Sequence, residues 1–175
     1  MNTKILITGP PRSGKSTLIG KLIEHFSNRQ ISVYGFLTPE VREGHNRIGF
    51  DLLNIKTKER EKLARKGNFD TKHRVGKYHV FIERFEKFLA NFKNIRYHQE
   101  DLIIIDEIGK MELFSDKFQE FIMNMFKSNI SIIATIGLTI KHSIKDRLLK
   151  LPDVKLFNLN RQNYQNTYQK IISLI

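Results

Sequence analysis

An α/β fold, with a mainly parallel sheet covered by helices on both faces, is predicted by three features of this 175-residue sequence. Short apolar, partly β-branched runs recur along the chain, segments with helical spacing lie between most of them, and a glycine-containing turn joins the first run to the first such segment. Neighbouring parallel strands need a crossover, which a helix supplies and which is almost always right-handed.

Each element can be read in order. "KILIT" (4–8) reads as the first strand, and after it Leu18, Leu22 and Phe26, flanked by Ile19 and Ile23, lie on one helical face. "ISVYGFLT" is the second strand. The stretches on either side of Gly44, "TPEVREGH" and "NRIGFDLLNI", read as an antiparallel hairpin at the sheet edge. From Lys56 to Arg74 there follow eight basic residues and three acidic ones. A solvated surface segment is one reading of this run, and a mobile basic flap over a polyphosphate site is the other. "VGKYHV" closes an insertion spanning about 38–80 within one expected domain, 1–175. Phe81, Phe85, Phe88 and Phe92 form a second stripe; Phe114, Phe118, Phe121, Ile122 and Met125 form a third. All three stripes are read as core packing. "LIIID", "ISIIATI" and "VKLFNL" complete five strands.

Composition narrows the function. Hydrophobic residues make up 40% and charged residues 27%, as in ordinary folded proteins. No run approaches the roughly 18 apolar residues of a membrane span, and Pro10 and Pro11 interrupt the N-terminal region where a secretory signal would need an apolar stretch. A cytoplasmic protein is expected, without membrane association. The lack of cysteine removes disulfides, thiolate metal sites and thiol nucleophiles. A net charge of +12 favours polyanionic partners, nucleotides and nucleic acids among them, but no RNA-recognition or zinc-finger signature supports nucleic acid.

The turn after the first strand is "GPPRSGKST", Gly9, Pro10, Pro11, Arg12, Ser13, Gly14, Lys15, Ser16 and Thr17. Its spacing fits G-x-x-x-x-G-K-[ST], the Walker A pattern, and it lies between a strand and a helix as that pattern requires. Glycines let phosphates approach the backbone, inward N–H groups and the helix N-terminus favour anions, and Lys15 is placed to bridge the β- and γ-phosphates. Ser16 is the expected hydroxyl ligand of Mg2+.

The second half of the site is expected where "LIIID" ends. Asp106 emerging from an apolar strand is the candidate Walker B ligand of Mg2+. Glu107, adjacent to it, is placed to orient and deprotonate a water for in-line attack, which points to hydrolysis. Gly109 is counted with the nucleotide-binding residues.

These stretches resemble a known family. "ITGPPRSGKSTL", "GFLTPEVREG" with "RIGFDL", "VGKYHV", "IIIDEIGKMELFSDKF" and "ATI" are similar to the family of the human cancer-related nucleoside-triphosphatase and its thermophilic prokaryotic relatives. The likeness covers nearly the whole chain. It implies a RecA-like variation of the P-loop fold with core strand order 5-1-4-3-2, a monomer, and Mg2+-dependent conversion of NTP to NDP and phosphate with little base preference. It also places Thr135 near the γ-phosphate or the attacking water. Arg42 in the hairpin is an expected extra phosphate contact. The chain departs from the family at Arg12, where Gly is usual, and in the loop after "ATI", where neither Arg147 nor Lys150 matches the usual arginine cleanly. It departs again at Asn163 and Tyr164, which stand for an Asn-Arg pair; Asn163 remains a candidate base contact. Two other readings stay open: a small nucleoside or nucleotide kinase, and a basic RNA-binding module with weak NTPase activity.

Overall fold

In a computed structural model, which describes residues 2–175, five strands make a parallel core. They are β1 (Lys4–Thr8), β2 (Val33–Leu37), β8 (Leu102–Ile108), β9 (Ser131–Ile136) and β10 (Val154–Asn158), arranged β10-β1-β9-β8-β2. Numbered by core strand this is the expected 5-1-4-3-2.

Alternation along these strands decides which helices each face receives. Ile5, Ile7, Leu102, Ile104 and Ile133 point to one side, where they pack on Leu18, Ile19, Leu22 and Phe26 of α1 (Lys15–Asn28) and Ile171 of α5 (Tyr164–Ile172). Leu6, Ile103, Ile105, Ile132 and Ala134 point to the other. There they meet α2 (Ile82–Lys93), α3 (Asp116–Lys127) and α4 (Ser143–Leu149). A side-chain period of two on strands, matched to a 3.6-residue period on helices, thus buries both faces of the sheet.

The insertion extends this same sheet. Antiparallel β4 (Asn46–Asn54) pairs with β2, and β5 (Arg60–Lys66), β7 (Tyr78–Val80) and β6 (His73–Val75) follow outward, while β3 (Glu40–Glu43) forms the hairpin with β4. The expected hairpin is therefore present, as part of a larger antiparallel wing. The flap reading of the basic run is corrected. Residues 60–66 are a strand that pairs with β4 and, over residues 64–66, with β7 as well, with Leu63 and Ala64 fully buried.

The phenylalanine stripes are core with two exceptions. Phe85, Phe88 and Phe92 surround Phe36 of β2 with ring centroids 5.8–6.1 Å away. Phe81 stands just before α2 and is half-buried. Phe114 belongs to a 3₁₀ turn, Glu112–Phe114, and is exposed, stacked on His73 at 4.6 Å. The turn ends at Ser115, whose hydroxyl accepts the Phe118 N–H and starts α3, so the spacing that joined Phe114 to Phe118 crosses a helix boundary.

Candidate active site

The C-terminal ends of β1, β2 and β8 and the wing enclose a cleft of about 720 Å³. Ligands are expected at this end of an open parallel sheet. Its first wall is the loop between β1 and α1. Gly14 has φ +96°, a left-handed conformation that a side chain would strain, and Lys15 begins the helix. Arg12, where the resemblance leads one to expect glycine, is itself left-handed with φ +63°. Its position explains why glycine suits that turn. Lys15 Nζ donates to the carbonyls of Gly9 at 2.8 Å and Pro10 at 3.2 Å, so its charge is held over the loop. Gly9, Pro11, Arg12, Gly14, Lys15, Ser16 and Thr17 line the cleft. Pro10 and Ser13 shape the turn instead, Ser13 N donating to Pro10 O at 3.2 Å.

The second wall is the end of β8. Asp106 and Glu107 both line the cleft, across from Lys15 and Ser16. Asp106 is 8% exposed and accepts a hydrogen bond from the Thr135 hydroxyl through Oδ1. Thr135 is wholly buried behind it. The expected contact of Thr135 with phosphate or water is thus corrected: it orients Asp106. Burial, and then the Asp106 charge, push the Glu107 carboxyl up, while Lys15 opposes them. A base with a raised pKa binds a proton more strongly.

One carboxylate and one hydroxyl facing a phosphate loop fit Mg2+, which takes few protein ligands and completes its shell with water and substrate phosphates. Among the described residues no cluster of three or more His, Cys, Asp or Glu forms a cage for a metal. Ser16 and Asp106 are the residues that would hold the ion.

Two residues here were not singled out in the sequence. Thr38, at the end of β2, donates its hydroxyl proton to Asp106 O at 2.7 Å and accepts the Glu107 N–H at 3.1 Å, so it holds both sides of the peptide joining the acidic pair. Glu112 lines the cleft yet is 3% exposed. Its carboxyl is pushed up to about 8, by burial first and by the Glu107 charge second. The only sequence signal for it is an acidic residue set between apolar Met111 and Leu113.

Gly109, counted with the nucleotide-binding residues, has a role in packing the acidic residues. A Cβ there would lie 2.6 Å from Glu112 Oε2 and 3.0 Å from Glu107 Oε1, so glycine leaves room for two carboxyls to converge. Asn163, the candidate base contact, is engaged within its own loop. Its amide accepts from Asn160 N at 2.9 Å and donates to Asn158 O at 2.8 Å, so it fixes the loop before α5. Tyr164 presses its ring against Gly14.

The third wall belongs to the wing. Arg42 lines the cleft as expected, and Arg47 joins it. Glu40 ties the two together, 2.6 Å from each guanidinium. Burial alone would raise the Glu40 carboxyl, but the hydrogen bonds from Arg47 and Arg42 outweigh it and hold it below the usual carboxylate range. Arg47 also donates to the Tyr78 hydroxyl at 3.0 Å and lies over the Phe50 ring. None of the eight basic residues of 56–74 lines the cleft, and neither Arg147 nor Lys150 does; residues 137–140 close that side.

The family model for NTPase matches residues 4–172. The chain belongs to this NTPase family. It is 37% identical to the nucleoside-triphosphatase THEP1 of Thermotoga maritima over 98% of the chain and 95% of that protein. It is 35% identical to THEP1 of Methanocaldococcus jannaschii, over 98% of the chain and 96% of that protein. The crystal structure of THEP1 from Aquifex aeolicus superposes with a TM-score of 0.83 at 33% identity, over 98% of both chains. The solution structure of a human cancer-related nucleoside triphosphatase gives the same score and identity, over 98% of this chain and 96% of that one. As an NTPase-family member the chain has the P-loop architecture that its strand order describes. No helix among the described residues is long and apolar enough to cross a membrane.

Proposed function

We propose that the chain is a Mg2+-dependent nucleoside-triphosphatase that converts NTP to NDP and phosphate with little discrimination among bases, working as a single-domain cytoplasmic monomer. The observation that carries this reading is the acidic pair of β8, Asp106 and Glu107, set in one cleft with Lys15 and Ser16. The names of the family relatives support the same activity.

Hydrolysis needs three things from the protein. The loop N–H groups and Lys15 bind the β- and γ-phosphates and stabilise charge as the terminal P–O bond breaks. Glu107 orients water opposite the leaving oxygen and takes its proton as the water oxygen bonds to phosphorus. Ser16 and Asp106 would hold Mg2+, which would neutralise charge on the phosphate oxygens. Arg42, and with it Arg47, adds positive charge from the facing wall.

Phosphate release is to be measured from ATP, GTP, CTP and UTP with Mg2+, with and without nucleoside, nucleoside monophosphate or RNA. Release that proceeds without any acceptor or RNA is expected. Phosphate transfer outrunning release when an acceptor is added would make the chain a kinase, and turnover that requires RNA would make it an RNA-dependent module.

A further inference from the structure

The two arginines of the wing are held differently. Arg42 uses all its guanidinium nitrogens inside its own hairpin: Nε and Nη2 donate to Glu40 Oε2 at 3.0 and 2.6 Å, and Nη1 donates to the His45 carbonyl at 3.3 Å. Arg47, its neighbour across the β3–β4 ladder, gives Nε–H to the Tyr78 hydroxyl at 3.0 Å and an Nη1 proton to Glu40 Oε1 at 2.6 Å. A guanidinium has more donors than these bonds use. The whole Nη2 amino group of Arg47 is left without a partner among the described residues.

That free end belongs to a fixed group. The Tyr78 hydroxyl that accepts Nε–H donates back to the Arg47 carbonyl at 3.4 Å, and Tyr78 itself is 6% exposed. The guanidinium carbon lies 5.1 Å from the Phe50 ring centroid and 5.5 Å from that of Tyr78. Rings, hydroxyl and carboxylate thus set the plane of this cation, and Arg47 lines the same cleft as Lys15, Ser16, Asp106 and Glu107. Donors fixed in advance cost no reorganisation when charge develops beside them. A planar guanidinium also matches the spacing of phosphate oxygens, which an ammonium does not.

We propose that Arg47 is a catalytic residue that binds the transferring γ-phosphoryl group through its free amino donors, most tightly in the transition state, with Tyr78 as its positioning residue. This rests on the nucleoside-triphosphatase reading. As the bond from phosphorus to the leaving oxygen breaks and the water oxygen bonds to phosphorus, negative charge spreads over the phosphoryl and leaving oxygens. Lys15 meets that charge from the phosphate loop and Arg47 meets it from the wing. Arg47 neither gains nor loses a proton, and the water proton goes to Glu107.

The test follows four variants, each checked by melting temperature. Arg47→Met keeps the apolar stem and removes the charge. It is expected to lose at least about 100-fold in kcat while binding a non-hydrolysable ATP analogue with Mg2+ within about threefold of wild type. Binding of Mg·ADP with aluminium fluoride, a mimic of the planar phosphoryl group, should weaken by at least about tenfold. Arg47→Lys should stay at least about tenfold below wild type, because a point charge does not replace the fork. In Arg47→Ala, added guanidinium ion should restore part of the lost kcat and added ammonium ion should not, a rescue that a merely bracing arginine would not show. Tyr78→Phe keeps the ring and removes only the acceptor, so kcat should fall roughly three- to tenfold with KM little changed. A folded Arg47→Met protein with kcat near that of wild type overturns the proposal. So does one in which KM alone rises, since Arg47 would then bind ground state and transition state equally. If Arg47→Met does not fold, Arg47→Lys decides, and full activity in it refutes the fork. Wild-type phosphate release is the control: its absence would sink the hydrolase reading itself, whereas release that Arg47→Met shares overturns the role of Arg47 alone.

Discussion

Glu107→Gln removes the proposed base while preserving shape and charge-neutral hydrogen bonding, so kcat should fall roughly 100-fold or more with analogue binding retained. Steady-state phosphate release measures this, and a near-normal rate would refute the assignment. Glu112 makes a second, thermodynamic expectation. Burial pushes its carboxyl up to about 8 in the fold, against an ordinary 4.5 when unfolded, so the unfolded chain gives up its proton first. Stability contributed by this group is therefore intact below about 4.5 and falls as pH rises from 4.5 to 8. Glu112→Gln removes that loss. The melting temperature of the variant relative to wild type should climb between pH 5 and pH 8, whereas a constant difference would show that Glu112 does not titrate in this window. At this scale the sequence was legible where local pattern carries the chemistry: the phosphate loop and the Asp106–Glu107 pair stand in the cleft as expected. Thr38 and Glu112 were not legible, because their roles arise where separate elements converge, 68 and 69 residues apart along the chain in the case of the two Thr38 bonds.

The elements show the same division between local and distant information. The inner core strands β1, β8 and β9 are runs buried on both faces, so apolar residues follow one another and announce them. Strand β5 hides its nature, since "REKLARK" carries four cations and buries only Leu63 and Ala64. Helix α4 is short and buries only Ile144 and Leu148, too little to make a stripe. The pairing of β5 on both sides has a measurable result. Amides of residues 64–66 should exchange slowly with or without Mg·NTP analogue, because opening this stretch requires breaking two ladders. Fast exchange there that slows on nucleotide binding would restore the flap.

Base recognition is a property of the whole molecule. Discrimination between bases requires buried polar groups that the wrong base would leave unpaired. No Asn-Lys-x-Asp sequence is present to read guanine, and the charged side chains of the cleft gather beside the phosphate loop. Asn163, the one amide expected near a base, is spent on its own loop. Values of kcat/KM for ATP, GTP, CTP and UTP should therefore agree within roughly tenfold, about 1.4 kcal/mol in transition-state binding. A hundredfold preference would reveal a base pocket outside the walls described. Continuity of the sheet bears on how any of these nucleotides enters. Strand β2 pairs with the Walker B strand β8 on one edge and with β4 of the wing on the other. The arginine wall and the acidic wall are thus two ends of one hydrogen-bonded plate, with no hinge between them. The spacing of the two walls is therefore set by the ladder itself, so the cleft is built as a socket rather than as a jaw.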